Sequence, residues 1–218
     1  MAEEFFAPIK LSLEISIVSG VIVVILGTLA GHFLAVRKFK GKAIVETILM
    51  LPLVLPPSVV GFILIVVFGK QSFLGKAIEW VFNQPIIFTW WAAVIAAIIV
   101  AFPLMYQSAK TGFHGVDHDI EDAARVDGAG KWKVFLLISI PLASRSLITG
   151  AVLSFARALG EFGATLMFAG NIPGVTQTVP TAIYVAIDSG NMTMAWLWVI
   201  SIIIISFLML FAVQVKQR

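Results

Sequence analysis

The 218-residue chain contains no cysteine, so disulfides and thiolate metal sites are excluded. It is also short of charge. Only 12% of its residues are charged and 60% are hydrophobic, where a soluble domain carries about twice that charged fraction. Strand-like alternation is missing too. A membrane barrel needs alternating segments of about 10 residues, and the apolar runs here are continuous and longer. The opening MAEEFFAPIK has no basic residue before Lys10. A secretory signal begins with positive charge, so the first span is expected to stay in the mature protein. The apolar runs hold no paired aspartates, no Ser/His pair and no HExxH helix, which leaves an intramembrane enzyme without a catalytic set.

What is present is long hydrophobic sequence. Residues 11–35, 43–68, 86–106 and 195–213 each reach the length of about 20 apolar residues that crosses a bilayer core. Residues 147–168 are as long but contain Arg157 and Glu161. Residues 179–187 are apolar but too short to span, and read as a loop helix or a re-entrant segment. The expected fold is all-α, with five transmembrane helices, a sixth short helix, and a single membrane domain over residues 1–218.

Basic residues gather on the cytoplasmic side of membrane proteins. Arg37, Lys38, Lys40 and Lys42 follow the first span. Lys110, Arg125, Lys131, Lys133 and Arg145 surround the third loop, and Lys216 and Arg218 close the chain. The other side receives Lys10, Lys70 and Lys76, and residues 170–194 carry no basic residue. The amino terminus is therefore expected outside and the carboxyl terminus in the cytoplasm. The net charge of +3 is explained by this topology and calls for no nucleic-acid partner. Trp80, Trp90, Trp91, Trp196 and Trp198 fit aromatic belts at the outer surface.

One polar segment interrupts the oil. Within a cytoplasmic loop at about residues 110–141, EDAARVDGAGKWKVFLLISIP predicts a short helix capped by Asp117 or Asp119. Glu121 and Asp122 stand at the positive end of its dipole. Ile120, Ala123 and Ala124 share one face, and Gly128 is placed to end the helix. A second helix is expected from Lys131 to Pro141. Such a small-residue face suits a knob pressed into a partner's groove. It equally suits a solvated loop. Nearby GAGK lacks the first glycine and the Ser/Thr of a phosphate loop, since Arg125 and Trp132 occupy those places. His114 and His118 stand one turn apart without a third histidine and read as solvated, not as metal ligands.

The stretch AARVDGAGKWKVFLLISIP resembles the signature loop of ABC-importer permeases: two alanines, three residues, a glycine, nine residues, then I-x-L-P. Ala123, Ala124, Gly128, Ile138 and Pro141 match it. Asp122 stands where the family's glutamate directly precedes the alanines, with Glu121 one earlier, and Ile140 replaces the leucine. By that resemblance residues 121–124, Gly128, Ala129, Ile138 and Pro141 belong to a loop that docks on an ATPase subunit.

LPLVLPPSVVGF, with Pro56, Pro57 and Ser58, and FARALGEFGATLMFAGNIPG, with Arg157 and Glu161, are similar to molybdate importer permeases, which implies molybdate or tungstate as the cargo, and less closely to sulfate (or thiosulfate) permeases. Arg157 and Glu161 are spaced to pair on one helix face. Buried charges of this kind face a bundle interior or water, so the five residues are candidates for the pathway or gate. The pair could equally be a packing element, and the prolines a structural kink. The resemblance implies a homodimer, two cytoplasmic ABC ATPase subunits, an extracellular oxyanion-binding protein and no cofactor or ATP hydrolysis in this chain. A secondary transporter is the rival, but such folds often show internal repeats and none is evident here.

Overall fold

A computed structural model describes residues 2–216. Among these the regular structure is helical, with no strand. The first span is α1 (Ala2–Val36). A short turn through Gly41 leads into α2 (Lys42–Val54), which is followed by α3 (Pro57–Phe68) and α4 (Phe73–Phe82). Helix α5 (Trp90–His114) is the centre of the bundle. Thr89 caps it by accepting the Ala92 N–H, and 61% of its most apolar stretch is buried.

The expected second span, residues 43–68, is not one straight helix. Helices α2 and α3 meet at 117°. The cause is local. A residue that precedes proline is pushed out of the helical region, and both Leu55 and Pro56 precede one. Their ψ angles are 141° and 137°. Pro57 then takes a first-turn position of α3, where its missing N–H leaves nothing unpaired. Pro52, by contrast, is accommodated inside α2.

The bent pair nonetheless makes a passage across the bundle. A Cβ on Gly27 would lie 2.6 Å from Met105 Cγ, and one on Gly31 would lie 2.6 Å from Ala109 Cβ. Residue numbers rise together on both helices, so α1 and α5 are parallel. Two parallel spans in succession require a return between them, and α2 with α3 supplies it. Helix α8 (Ile140–Leu159) runs the other way, with Gly112 against Ser146 and Gly150 against Ser108.

The expected fifth span, residues 147–168, also differs. Helix α7 (Lys131–Val134) passes through a π-helical turn, Phe135–Ser139, directly into α8. The whole rod covers Lys131–Leu159, so Pro141 does not end a helix. In the π turn the Ile140 N–H reaches the Phe135 carbonyl, five residues back. That shift of register falls just ahead of a residue with no N–H to offer. The rod stops at Leu159, and α9 (Gly163–Phe168) continues after a break. Helix α10 (Val179–Asp188) is short, as expected. Its Val179 N–H donates to Ser12 Oγ of α1 at 2.8 Å.

Helix α11 (Met192–Lys216) closes the described chain. Trp198 Nε1 donates to the Phe5 carbonyl, which ties the start of α11 to the start of α1. Only 11% of its most apolar stretch is buried, leaving an apolar flank for lipid or a second chain. The basic residues follow this geometry. Arg37, Lys38, Lys110, Lys131 and Lys133 collect at the end of the bundle where α1 and α5 finish, and Lys70 lies just after α3, at the opposite end.

Lipid tails are as apolar as leucine, so helix association in a membrane depends on close packing of small residues. Alanines 92, 93, 96, 97 and 101 of α5 are all buried, and glycines supply the tightest approaches. Gly31→Val should therefore force α1 off α5 and destabilise by about 1–3 kcal/mol, read as a lower unfolding midpoint in detergent. Gly20→Ala meets only the edge of Phe155 at 3.4 Å and should leave the midpoint nearly unchanged.

Candidate functional site

The polar segment forms α6 (His118–Val126). Asp117 caps it by accepting the Asp119 N–H at 3.0 Å. Its end is built around Gly128, whose φ is +89°. The Gly128 N–H bonds to the Arg125 carbonyl at 3.0 Å and the Ala129 N–H to the Ala124 carbonyl at 2.9 Å. This paired closure requires a left-handed residue at its centre, which favours glycine.

Two faces of α6 do different work. Ile120, Ala123 and Val126 open to solvent, Val126 at 87% exposure, with Trp132 at 71% beyond the turn. Ala124 and Ala129 are half-buried, while Asp122 is exposed and bonded to Arg125. Glu121 turns the other way and is 4% exposed. Its carboxylate accepts from Ser139 Oγ and lies 3.4 Å from Arg125 and 3.7 Å from His118. Ser139 belongs to the π turn at the base of α8, so one hydrogen bond lashes the loop helix to the long rod. Eighteen residues separate the partners, and no spacing rule marks them. The one sequence signal is a lone hydroxyl inside the run FLLISIP. Ile138 is half-buried in that turn, and Pro141 is exposed at the start of α8.

The rod leads to the second cluster. Glu161 does not share a helix face with Arg157, as its spacing suggests, because α8 has already ended. The ion pair still forms, with Arg157 Nη1 2.7 Å from Glu161 Oε2. The other oxygen, Oε1, accepts the Ala164 N–H at 2.8 Å, which satisfies a free donor in the first turn of α9. Glu161 thus holds both sides of the break. Its side chain is 2% exposed and that of Arg157 is 29% exposed.

The break in α8–α9 lies beside the break in α2–α3. A Cβ on Gly163 would lie 2.9 Å from Pro57 Cβ and 3.6 Å from Ser58 N, and one on Gly61 would lie 2.8 Å from Met167 Cβ. Residues separated by about a hundred positions, Pro57 and Ser58 on one side and Glu161 and Gly163 on the other, come together. Irregular backbone at membrane depth is tolerated where it is buried in protein or lines a water-filled cavity. Pro56, Pro57 and Ser58 are exposed, so the junction opens on one side.

A third polar cluster has no counterpart in the sequence reading. Glu46 lies 2.7 Å from Lys110 Nζ and 3.9 Å from Lys42 Nζ. It pins α2 to α5 at the basic end of the bundle. Among the described residues no group of histidines and carboxylates could hold a metal ion.

Residues 24–218 match the family described as binding-protein-dependent transport system inner membrane component. The chain is 68% identical, over 99% of its length and 95% of the relative's, to a putative molybdenum transport system permease protein, YvgM, of Bacillus subtilis. It is 43% identical to the molybdenum transport system permease protein ModB of Escherichia coli K12, over 89% and 86% of the two chains. A probable sulfate transport system permease of Prototheca wickerhamii is 31% identical over 94% and 80%. Among solved structures, the MetNI methionine ABC transporter in inward-facing conformations superposes with a TM-score of 0.74 at 18% identity, over 95% of this chain and 91% of that one. A bacterial alginate ABC transporter gives 0.75 at 15% identity, over 99% and 79%.

The geometry of the charged pair fixes how its members should respond to loss. Arg157→Met leaves Glu161 buried with only the Ala164 N–H. Glu161→Met removes the pair and the link to α9 together. Each should destabilise by about 3–5 kcal/mol, as breaking a buried pair does, with Glu161→Met the worse. The double change should recover part of that loss in a thermal unfolding series. Strictly additive losses would show that the two side chains do not act on each other.

Proposed function

The chain belongs to the family of binding-protein-dependent transport system inner membrane components, and from that premise we propose that it is the permease subunit of an ATP-driven ABC importer for molybdate. The observation that carries the substrate is the 68% identity, over nearly the whole chain, to a protein named as a molybdenum transport permease. The sulfate reading is weaker, since the sulfate permease relative stands at 31%.

In this reading the exposed face of α6, with Ile120 and Ala123, docks in a cleft of a cytoplasmic ATPase subunit. ATP is hydrolysed there, because GAGK in this chain lacks the elements of a phosphate loop. Movement of α6 is carried by the Glu121–Ser139 bond into the rigid rod of α7, the π turn and α8. The rod delivers it to the broken junction at Gly160–Gly163, beside Pro57 and Ser58. A shift there opens or closes the passage. Arg157 offers a cation to an oxyanion, but Glu161 offsets it at 2.7 Å. A weakly attracting site suits transport, since tight binding in the pathway would slow release.

One chain leaves the junction open on its exposed side, and the flank of α11 is uncovered. Two-fold pairing is the commonest way to close such a surface, so the importer is a homodimer with two ATPase subunits. A binding protein presents molybdate on the outer side. The basic end of the bundle faces the cytoplasm by the charge bias of membrane insertion.

Proteoliposomes containing the chain and its ATPase, with the binding protein outside, should take up molybdate only with ATP inside. Gly128→Ala places a side chain at φ +89°, a conformation that costs about 1–2 kcal/mol. It should reduce uptake per ATP hydrolysed while the complex still assembles. Gly130→Ala, at φ −69° with open space around it, should behave as the unchanged protein. Uptake that persists without the ATPase would overturn the reading.

The orientation has its own test, with no native cysteine to confuse it. Val175→Cys should react with an impermeant thiol reagent added outside intact cells. Asp119→Cys should react only after the membrane is opened. The reverse pattern would invert the topology.

A further inference from the structure

At the basic end of the bundle a cavity of about 1380 Å³ lies between the end of α1, the start of α2 and the loop helices. Arg37, Lys38, Arg125 and Lys131 line it, with Phe33 and Trp132 among its aromatic residues. The one carboxylate in its wall, Glu121, is already engaged by Ser139 and Arg125. Among the described residues no carboxylate lies within 4.0 Å of the charged ends of Arg37, Lys38 or Lys131. The Arg37 guanidinium stacks over Phe33, 4.6 Å from the ring centre, which directs the charge along the membrane-facing surface of α1. Above it Leu29, Phe33 and Val36 are exposed in the span itself. A large, mostly apolar cavity that carries an excess of cations therefore adjoins the exposed apolar flank of α1.

We propose that this cavity binds the headgroup of an anionic phospholipid, with its acyl chains lying against α1 past Phe33 and Leu29. The charge complementarity is specific to one end of the lipid. Arg37, Lys38 and Lys131 have no carboxylate partner among the described residues, and most of the remaining lining is apolar. Basic pockets between helices on the cytoplasmic side hold anionic headgroups by this combination, and an exposed Trp132 suits the depth of the interface. The lipid would wedge α1 against α7 and the π turn, next to the Glu121–Ser139 link. Its occupancy would bear on the stiffness of the rod. Binding does not depend on which substrate the chain carries, and a detergent assay reads it whatever the orientation.

The test is native mass spectrometry of the purified chain in detergent, titrated with phosphatidylglycerol or phosphatidylcholine. One phosphatidylglycerol per chain should be retained and phosphatidylcholine should not. The triple variant Arg37→Gln, Lys38→Gln, Lys131→Gln should lower retention roughly tenfold or more, while Lys70→Gln with Lys76→Gln, at the other end, should not. If the triple variant fails to fold, the single variants Lys38→Gln and Lys131→Gln decide, and unchanged retention in both overturns the proposal. Equal retention of the two lipids also overturns it. So does displacement by millimolar inorganic phosphate, which would mark a simple anion site. Loss of the lipid when the ATPase subunit binds would overturn it too, since the cavity would then belong to that protein interface.

Discussion

Close packing of small residues between α1, α5 and α8 is the constraint on which the other features rest. In a bilayer, burying leucine against leucine gains little over leaving it in lipid. Helices associate where backbones can approach, and here they approach at Gly27 and Gly31 on α1, Gly112 on α5 and Gly150 on α8. These contacts make α5 the axis of the bundle, with α1 parallel to it and α8 antiparallel. Because α5 and α8 are locked side by side, the segment joining them is forced into a tight excursion at one end. That excursion is α6 and its glycine turn.

Rigidity and discontinuity are divided along the chain in a way that suits a moving part. The rod from Lys131 to Leu159 is continuous, even across a proline, because a π turn absorbs the register change. Its two ends are held by single carboxylates. Glu121 grips Ser139 at one end, and Glu161 grips Arg157 and the Ala164 N–H at the other. Both carboxylates are buried and both are engaged, so each transmits position where a flexible side chain would not. The discontinuities fall beside one another, at Leu55–Pro57 and Gly160–Gly163.

The polar clusters are graded in the same sense. Glu46 with Lys110 joins α2 to α5 at the basic end, the two side chains 23% and 20% exposed. Glu161 is more deeply enclosed, its side chain 2% exposed, although that of Arg157 is 29% exposed. Between them lies mostly alanine, glycine and aliphatic packing.

Much of this was legible in the sequence, because it is written in local patterns. Apolar runs longer than a bilayer is thick announce helices, the absence of cysteine and the poverty of charge exclude whole classes of protein, and lysine and arginine fall to alternate loops. The Asp117 cap and the Gly128 stop of α6 also follow from residues a few positions apart, since capping is a contact between near neighbours. The kink at the prolines was among the readings of the sequence, but its depth and the break after Leu159 were not legible in the same way. Two successive prolines after Leu55 impose extended backbone on two residues running, yet the apolar pattern continues across them and reads as one span. Pro141 reads as a stop, but the π turn that carries the helix past it depends on how Phe135 and Ser139 are packed. The contacts that give the fold its mechanical links, Glu121 with Ser139, Glu46 with Lys110 and Pro57 with Gly163, join residues with no shared periodicity. Only the packing of the helices brings them together, because the distance between two side chains on different helices is set by the glycines that let those helices meet.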